Sequence, residues 1–271
     1  MTGLPTLIDS NLSLNERVAT LSFQRDDVRN ALTGTGLIDD IVDTCSWANG
    51  CPDVSVLIIT GEGKAFSSGG NIKELRDKQG AFSGNPAALQ EQYRHGIQRI
   101  PLAMQSIEVP TIAAINGPAI GAGFDLCNMC DIRLGCPETL LGETFINLGI
   151  IPGDGGAWFL QRIVGYQRAA ELTLSGRLFG PAEALSYGLL LEITDSDQLL
   201  PRAQALAATF AAKPPRGVRM SKRLLQAAQR MELKDLLDMS ASMQAISHQM
   251  ADHTEALAAF MEKRDAEFKG D

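Results

Sequence analysis

The sequence predicts an α/β protein in which strands alternate with helices to about residue 195 and then give way to a helical C-terminal region. Three observations carry this. Apolar, β-branched runs at residues 54–60 and 111–115 each lead through a glycine-rich turn into a segment that can be helical. Strands alternating with helices imply βα units and a parallel or mixed sheet. After Gly155 the chain becomes rich in Ala, Leu and Met at helical spacing, and only residues 190–193 still read as a strand.

Taken in order, residues 16–23 alternate Val18, Thr20 and Ser22 with Ala19, Leu21 and Phe23, the period of a strand. Leu37, Ile38, Ile41, Val42 and Cys45 fall at helical spacing over 36–47. Residues 54–60 form a buried strand ended by Gly61-Glu62-Gly63, and 80–86 is a Gly/Ser/Asn/Pro loop. A helix over 87–107 runs into the Val109-Pro110 break. Strands follow at 111–115 and 131–134. Helices are predicted at 157–164, 167–174, 181–187, 197–212, 217–228 and 234–264, with Pro201 and Pro214-Pro215 as joints. The expected division is therefore 1–195 as the core with the ligand site and 196–271 as a helical region. No internal repeat or low-complexity tract is visible.

The 271 residues suit one large domain or one domain with an appendage. At 45% hydrophobic and 21% charged residues, a sizeable core is expected and disorder is not. The net charge of −8 and the lack of a basic stretch argue against nucleic acid as a partner. The most apolar run, 109–130, contains Asn116, Gly117, Pro118, Gly121, Gly123 and Asp125, so it reads as a buried strand and turn rather than a membrane span. Five cysteines, an odd number, and no targeting segment predict a cytoplasmic chain with reduced thiols. Cys127 and Cys130 with Cys136 have no fourth close Cys or His, which favours buried thiols over a metal site.

The two turns carry the chemistry. They are residues 64–72 (KAFSSGGNI) and 116–125 (NGPAIGAGFD), about fifty residues apart. A strand that ends in glycines and opens a helix leaves backbone N–H groups pointing outward. Two such turns side by side could hold one developing oxyanion between two N–H groups.

Several stretches in one order extend the pattern: Arg29-Asn30-Ala31-Leu32, residues 64–75, residues 109–125, Cys130-Asp131-Ile132-Arg133, residues 148–156, and a terminal Glu255-Ala256, Phe260 and Glu262-Lys263-Arg264. This ordered set resembles the crotonase (enoyl-CoA hydratase/isomerase) superfamily over essentially the full chain. The resemblance implies a crotonase-like ββα spiral core with a helical C-terminal trimerisation region, assembled as a homotrimer or a dimer of trimers. It implies an acyl-CoA thioester as substrate, with coenzyme A part of that substrate and no other cofactor, metal, nucleic acid or membrane partner.

By the motif match, the oxyanion donors are the backbone N–H groups of Gly70 and Ala122. Hydratases of the family use two glutamates. The first register falls on Asp125, a carboxylate one methylene shorter. The second falls on Phe145, which puts ordinary hydration in doubt. Glu143 lies two positions earlier; if that segment is extended, it shares a face with Phe145 but is displaced by roughly 6–7 Å. Some relatives place a catalytic acid at or beside Asp154, which is also well placed to cap the helix after it. By the same resemblance, Arg25, Arg29, Ala31, Ser68, Asn71 and Ile72 seat the coenzyme A moiety, although the two arginines can equally be solvated cations. Phe66, Tyr93, Phe145 and Trp158 are candidate walls of an acyl pocket or simply core. The leading expectation is an enzyme of the hydratase/isomerase type, with Asp125 and Asp154 moving protons. A thioester hydrolase, a decarboxylase, or a non-catalytic coenzyme A- or RNA-binding relative is the alternative.

Overall fold

The computed structural model describes residues 3–271. Its strands are β1 (Ser10–Asn15), β2 (Val18–Phe23), β3 (Val56–Gly61), β4 (Thr111–Ile115), β5 (Pro118–Ile120), β6 (Ile132–Gly135), β7 (Leu140–Gly142) and β8 (Glu192–Ile193). The helices are α1 (Leu37–Gly50), α2 (Ile72–Asp77), α3 (Pro86–His95), α4 (Arg99–Ser106), α5 (Ala122–Met129), α6 (Gly156–Val164), α7 (Tyr166–Ser175), α8 (Pro181–Ser186), α9 (Leu199–Ala211), α10 (Pro215–Ala228), α11 (Leu233–Ser247) and α12 (Ala251–Glu262).

Among the described residues, one sheet runs β1-β2-β3-β4-β6-β8, and β5 and β7 pair in a second, smaller one. The β1–β2 pair is antiparallel; every other pairing is parallel. Strand β3, VLIITG, is buried at every position because both faces of the sheet are covered. Leu57 and Ile59 face the larger core with α1, α4 and α5, which includes Ile41, Met104 and Phe124. Val56 and Ile58 face the other core, where Ala203 and Ala207 of α9 pack on the sheet.

Local chemistry explains where element boundaries depart from the sequence reading. Strand β2 begins at Val18 because Glu16 and Arg17 both take positive φ, 45° and 71°, closing a tight hairpin with β1. The helix expected over 87–107 is two helices. Pro101 sits in the first turn of α4, where its missing N–H costs nothing, so a new helix starts there instead of continuing α3. The expected 234–264 helix also breaks, between α11 and α12. Asp252 in the first turn of α12 is buried and accepts the N–H groups of Lys269 and Gly270, which folds the C-terminal tail back onto the helix. The five cysteines are free and buried, and burial pushes the Cys130 thiol up to about 12.

One buried charge ties α10 to the core. Lys222 Nζ donates to Val109 O at 2.8 Å and to Asp131 Oδ2 at 2.7 Å. The same Oδ2 accepts Thr111 N and Thr111 Oγ1 at the start of β4. Removing the ammonium leaves Asp131 short of its counter-charge, though Asp131 is one-third exposed and keeps Thr111. Lys222→Met is therefore expected to cost about 2 kcal/mol, less than breaking a fully buried pair, as a lower urea midpoint with unchanged slope.

Candidate active site

The two glycine turns lie against each other. Phe66 N and Ser67 N donate to Pro118 O, and Ile120 N returns a bond to Ser67 O, so the segment before each turn is paired with the other. Gly69 makes the approach possible. Its φ is +75°, and a Cβ there would stand 2.5 Å from Ile120 O and 2.9 Å from Ala122 N.

Several neighbouring amides are engaged, though among the described residues Ile72, Gly123 and Phe124 N–H are not. Gly69 N donates to Ser67 Oγ, Asn71 N to Thr33 Oγ1, Gly121 N to Gly142 O and Asp125 N to Gly121 O. Gly70 N–H and Ala122 N–H have no partner among the described residues; Ala122 opens α5, where the first amides lack intrahelical acceptors.

The second component is a cluster of carboxyls. Asp125 projects from the first turn of α5 and is fully buried, as is Glu143; Asp154 is 4% exposed. Asp125 Oδ1 and Glu143 Oε1 meet over Gly156, and Asp154 is close enough for its charge to act on both. Among the described residues, no N–H or hydroxyl donates to either oxygen of Asp125, to either oxygen of Glu143, or to Asp154 Oδ1. Buried carboxyls in contact, with no donor and no counter-cation, do not all ionise, so the cluster retains protons. Gly156, at the start of α6, is the residue that lets the cluster close: a Cβ there would overlap Glu143 Oε1 and Asp125 Oδ1.

Burial is the main cause of the electrostatics here. It drives Asp125 well above the ordinary carboxylate range, and the charges of Asp154 and Glu143 drive it further. Burial pushes Glu143 up to about 7, reinforced by the charge of Asp154 and opposed by the hydrogen bond from Asp125. Asp154 is raised by burial against the same kind of bond. Tyr93 of α3 is raised by burial and by Asp154.

A carboxyl whose folded pKa lies above its unfolded value binds more protons when folded. Stability is then fully present below the ordinary carboxylate range and is lost as pH rises through about 7. Glu143→Gln removes that penalty: relative to wild type it should gain about 2 kcal/mol at about pH 8 and little at about pH 5, measured by thermal or urea unfolding.

The structure sorts the residues expected from sequence. Gly70, Ala122, Asp125 and Asp154 fall within the two turns and the carboxyl cluster joined to them through α5. Asp154 does not cap α6: Gly155 holds the cap position with φ 113°, and no side chain bonds to the first-turn amides. The capping reading is corrected, because the chain turns Asp154 inward to Asp125. The displacement expected for Glu143 holds only for an extended segment. Residues 144–148 instead form a 3-10 turn with Glu143 at its start, which sends Glu143 to Asp125 and lays the Phe145 ring 3.6 Å from where a Cβ of Gly121 would be.

The six residues expected around coenzyme A sit at or beside the first turn. Ala31 bridges Gly69, Ser68 N donates to Arg29 O, and Ser68 Oγ donates to Val28 O. Asn71 caps α2 by accepting from Lys73 N and Glu74 N, and Ile72 next to it is exposed. Arg29 is exposed and has no carboxylate partner among the described residues, whereas Arg25 is paired with Asp27 and Asp9. The sequence reading passed over Asn30 as a tie: buried, it accepts Arg25 N and donates to Ala65 O, joining the two sides of this region.

A cavity of about 820 Å³ lies elsewhere, between α10–α11 and the ends of α4, α5 and α6, lined by Met104, Asn128, Trp158, Phe159 and Met243 among others. None of the three carboxyls lines it, so chemistry and not volume identifies the site. Among the described residues, no group of three His, Cys, Asp or Glu is arranged to hold a metal ion, and no helix is long and apolar enough to cross a membrane.

This α/β fold, with its paired glycine turns, defines a class, and comparison with known proteins gives the family. The enoyl-CoA hydratase/isomerase family matches residues 13–271. The crotonyl-CoA hydratase of Syntrophomonas wolfei is 31% identical over 95% of this chain and 96% of its own length. The 2,3-dehydroadipyl-CoA hydratase of Escherichia coli is 31% identical over 96% and 98%. The crystal structure of an enoyl-CoA hydratase from Bacillus anthracis superposes with a TM-score of 0.90 at 30% identity, over 97% of this chain and all of that one. The chain belongs to the enoyl-CoA hydratase/isomerase family, has its crotonase-type α/β fold and is an enzyme of that group.

Proposed function

We propose that this enzyme moves a proton on an enoyl-CoA thioester, with Gly70 N–H and Ala122 N–H holding the thioester oxygen and Asp125 and Asp154 as the acid and base. A carboxylate removes the Cα proton, and the C–H electron pair passes to the thioester oxygen as an enolate. The enolate then collapses as a carboxyl returns a proton to Cγ, moving the double bond and regenerating the carboxylate. Each N–H contributes roughly 2.7–4 kcal/mol at the transition state.

The observation that carries this reading is the pairing of two unbonded amides, on abutting turns, with a carboxyl of the helix that one of those turns opens. Proton transfer is favoured over water addition because Phe145, an apolar ring, stands where the hydratase pattern has its second glutamate. Hydration is the second reading. The relatives named for crotonyl-CoA and 2,3-dehydroadipyl-CoA favour it, and Glu143 supplies a third carboxyl.

The coenzyme A portion lies over Arg29, Ala31, Ser68, Asn71 and Ile72, with Arg29 meeting phosphate; Arg25 shapes that wall through Asp27 and Asp9. Residues 1–195 hold the site, and the helical region 196–271 serves assembly as a homotrimer or dimer of trimers. No cofactor takes part beyond the coenzyme A of the substrate, and the site of action is the cytoplasm.

Incubation with a 3-enoyl-CoA and with crotonyl-CoA, following absorbance of the conjugated thioester, tests the reading. A rise with the 3-enoyl substrate and little loss with crotonyl-CoA is expected. Loss of the crotonyl-CoA signal alone would make the protein a hydratase, and turnover of neither would overturn both readings.

A further inference from the structure

Glu143 is left without a role by that assignment, and we propose that it is a positioning residue: it shares a proton with Asp125 and keeps Asp125 neutral, able to donate while Asp154 accepts. The consequence for turnover rests on the acyl-CoA reading, whereas the pairing rests on the burial of the two carboxyls and their meeting over Gly156.

Asp125 Oδ1 meets Glu143 Oε1 over Gly156, and the charges of both Glu143 and Asp154 act on Asp125. Glu143 is fully buried, and no N–H or hydroxyl among the described residues donates to either of its oxygens. A buried carboxylate without donors or a counter-cation is costly, and three in contact do not ionise together.

No cation offsets the charge from the neighbouring elements. On α4, Arg99 pairs with Asp39. On α6, the Arg162 guanidinium lies over the Trp158 ring. Beyond the far end of α5, Arg133 donates to Leu189 O and Cys130 O. The other titratable group facing the cluster is Tyr93 of α3, which is neutral. The retained proton therefore sits between Asp125 and its partners. Gly156 leaves no room for the pair to part toward α6.

In the proton transfer above, Asp154 takes the Cα proton while Asp125 gives its own to the substrate, and Glu143 then faces an ionised Asp125. The proton that Asp154 took then resets the pair by passing to Asp125, a return that the like charge of Glu143 favours. Glutamine at 143 also fills the space and donates to an ionised Asp125, but it bears no charge. It should let Asp125 ionise at lower pH, which a space-filling role would not do.

Infrared difference spectroscopy of the protonated carboxyl C=O stretch against pH, on the full chain without substrate, tests the pairing. Wild type should retain a protonated carboxyl at neutral pH that Asp125→Asn removes. Glu143→Gln should lose that signal about one pH unit lower. Glu143→Asp should restore much of the wild-type titration. The limb of the kcat profile assigned to Asp125 should move with the spectrum in Glu143→Gln, with KM little changed.

Absence of a protonated carboxyl in wild type at neutral pH, or an unshifted titration in a folded Glu143→Gln, would overturn the proposal. Should Glu143→Gln fail to fold, the wild-type and Asp125→Asn spectra decide, because an Asp125→Asn spectrum identical to wild type excludes Asp125 as the proton's seat. Spectra as expected together with no turnover of any enoyl-CoA would uphold the pairing and sink the acyl-CoA reading instead.

Discussion

Asp125→Asn is expected to lower kcat by about 10³-fold while leaving KM for the acyl-CoA within a few-fold of wild type. The amide matches the carboxyl in size, so the fit beneath Gly156 survives, but it cannot give up and retake a proton. The same change takes a buried acid out of a cluster that has no counter-cation. Stability should therefore rise at pH above neutrality even as activity is lost, because the folded state no longer resists ionisation there. A damaged fold would lower both. Unfolding curves on either side of pH 7, alongside steady-state kinetics, separate the two. Wild-type-like kcat in a folded Asp125→Asn protein would remove Asp125 from the chemistry.

Gly69→Ala should be the most harmful change within the first turn. The new methyl would stand 2.5 Å from Ile120 O and 2.9 Å from Ala122 N, on a backbone with φ +75°. Relief comes only by parting the two turns or by changing the backbone, at a cost of about 1–3 kcal/mol in stability. A donor displaced by about 1 Å costs about 10²-fold in kcat. Gly70 provides the control. A Cβ there meets nothing nearer than the Phe82 ring at 3.7 Å, so Gly70→Ala should leave the midpoint of unfolding near wild type. Equal destabilisation by the two substitutions, measured in urea, would mean that the turns do not abut as described.

This contrast marks how far the sequence carries. The strand–turn–helix rhythm was legible because β-branched runs and glycine clusters are local signals. The match of 64–75 and 109–125 to a known pattern supplied the family. Which glycine is sterically required was not legible, since it depends on Ile120 and Ala122 arriving from fifty residues away. Strands β5 and β7 were missed for a related reason: they are short and exist by pairing with each other.

The carboxyl site was half legible. Asp125 stood out because it falls on the register of the first hydratase glutamate in the resemblance. Asp154 offered two meanings, and the sequence had no means of choosing between a cap and an acid, because the choice is made by the positive φ of Gly155. Glu143 was noticed and misplaced. A period-of-two argument fails where the chain leaves β7 and tightens into a 3-10 turn, a change that Thr144 and Phe145 do not announce. The break in the 87–107 helix, by contrast, had a visible signal in Pro101.

The most direct measurement is a structure of the protein with an unreactive acyl-CoA bound. The thioester oxygen should lie about 3 Å from both Gly70 N and Ala122 N, with the Asp125 and Asp154 carboxyls facing the carbons next to the carbonyl. A thioester oxygen held by other groups, or carbons turned away from both carboxyls, would contradict the account.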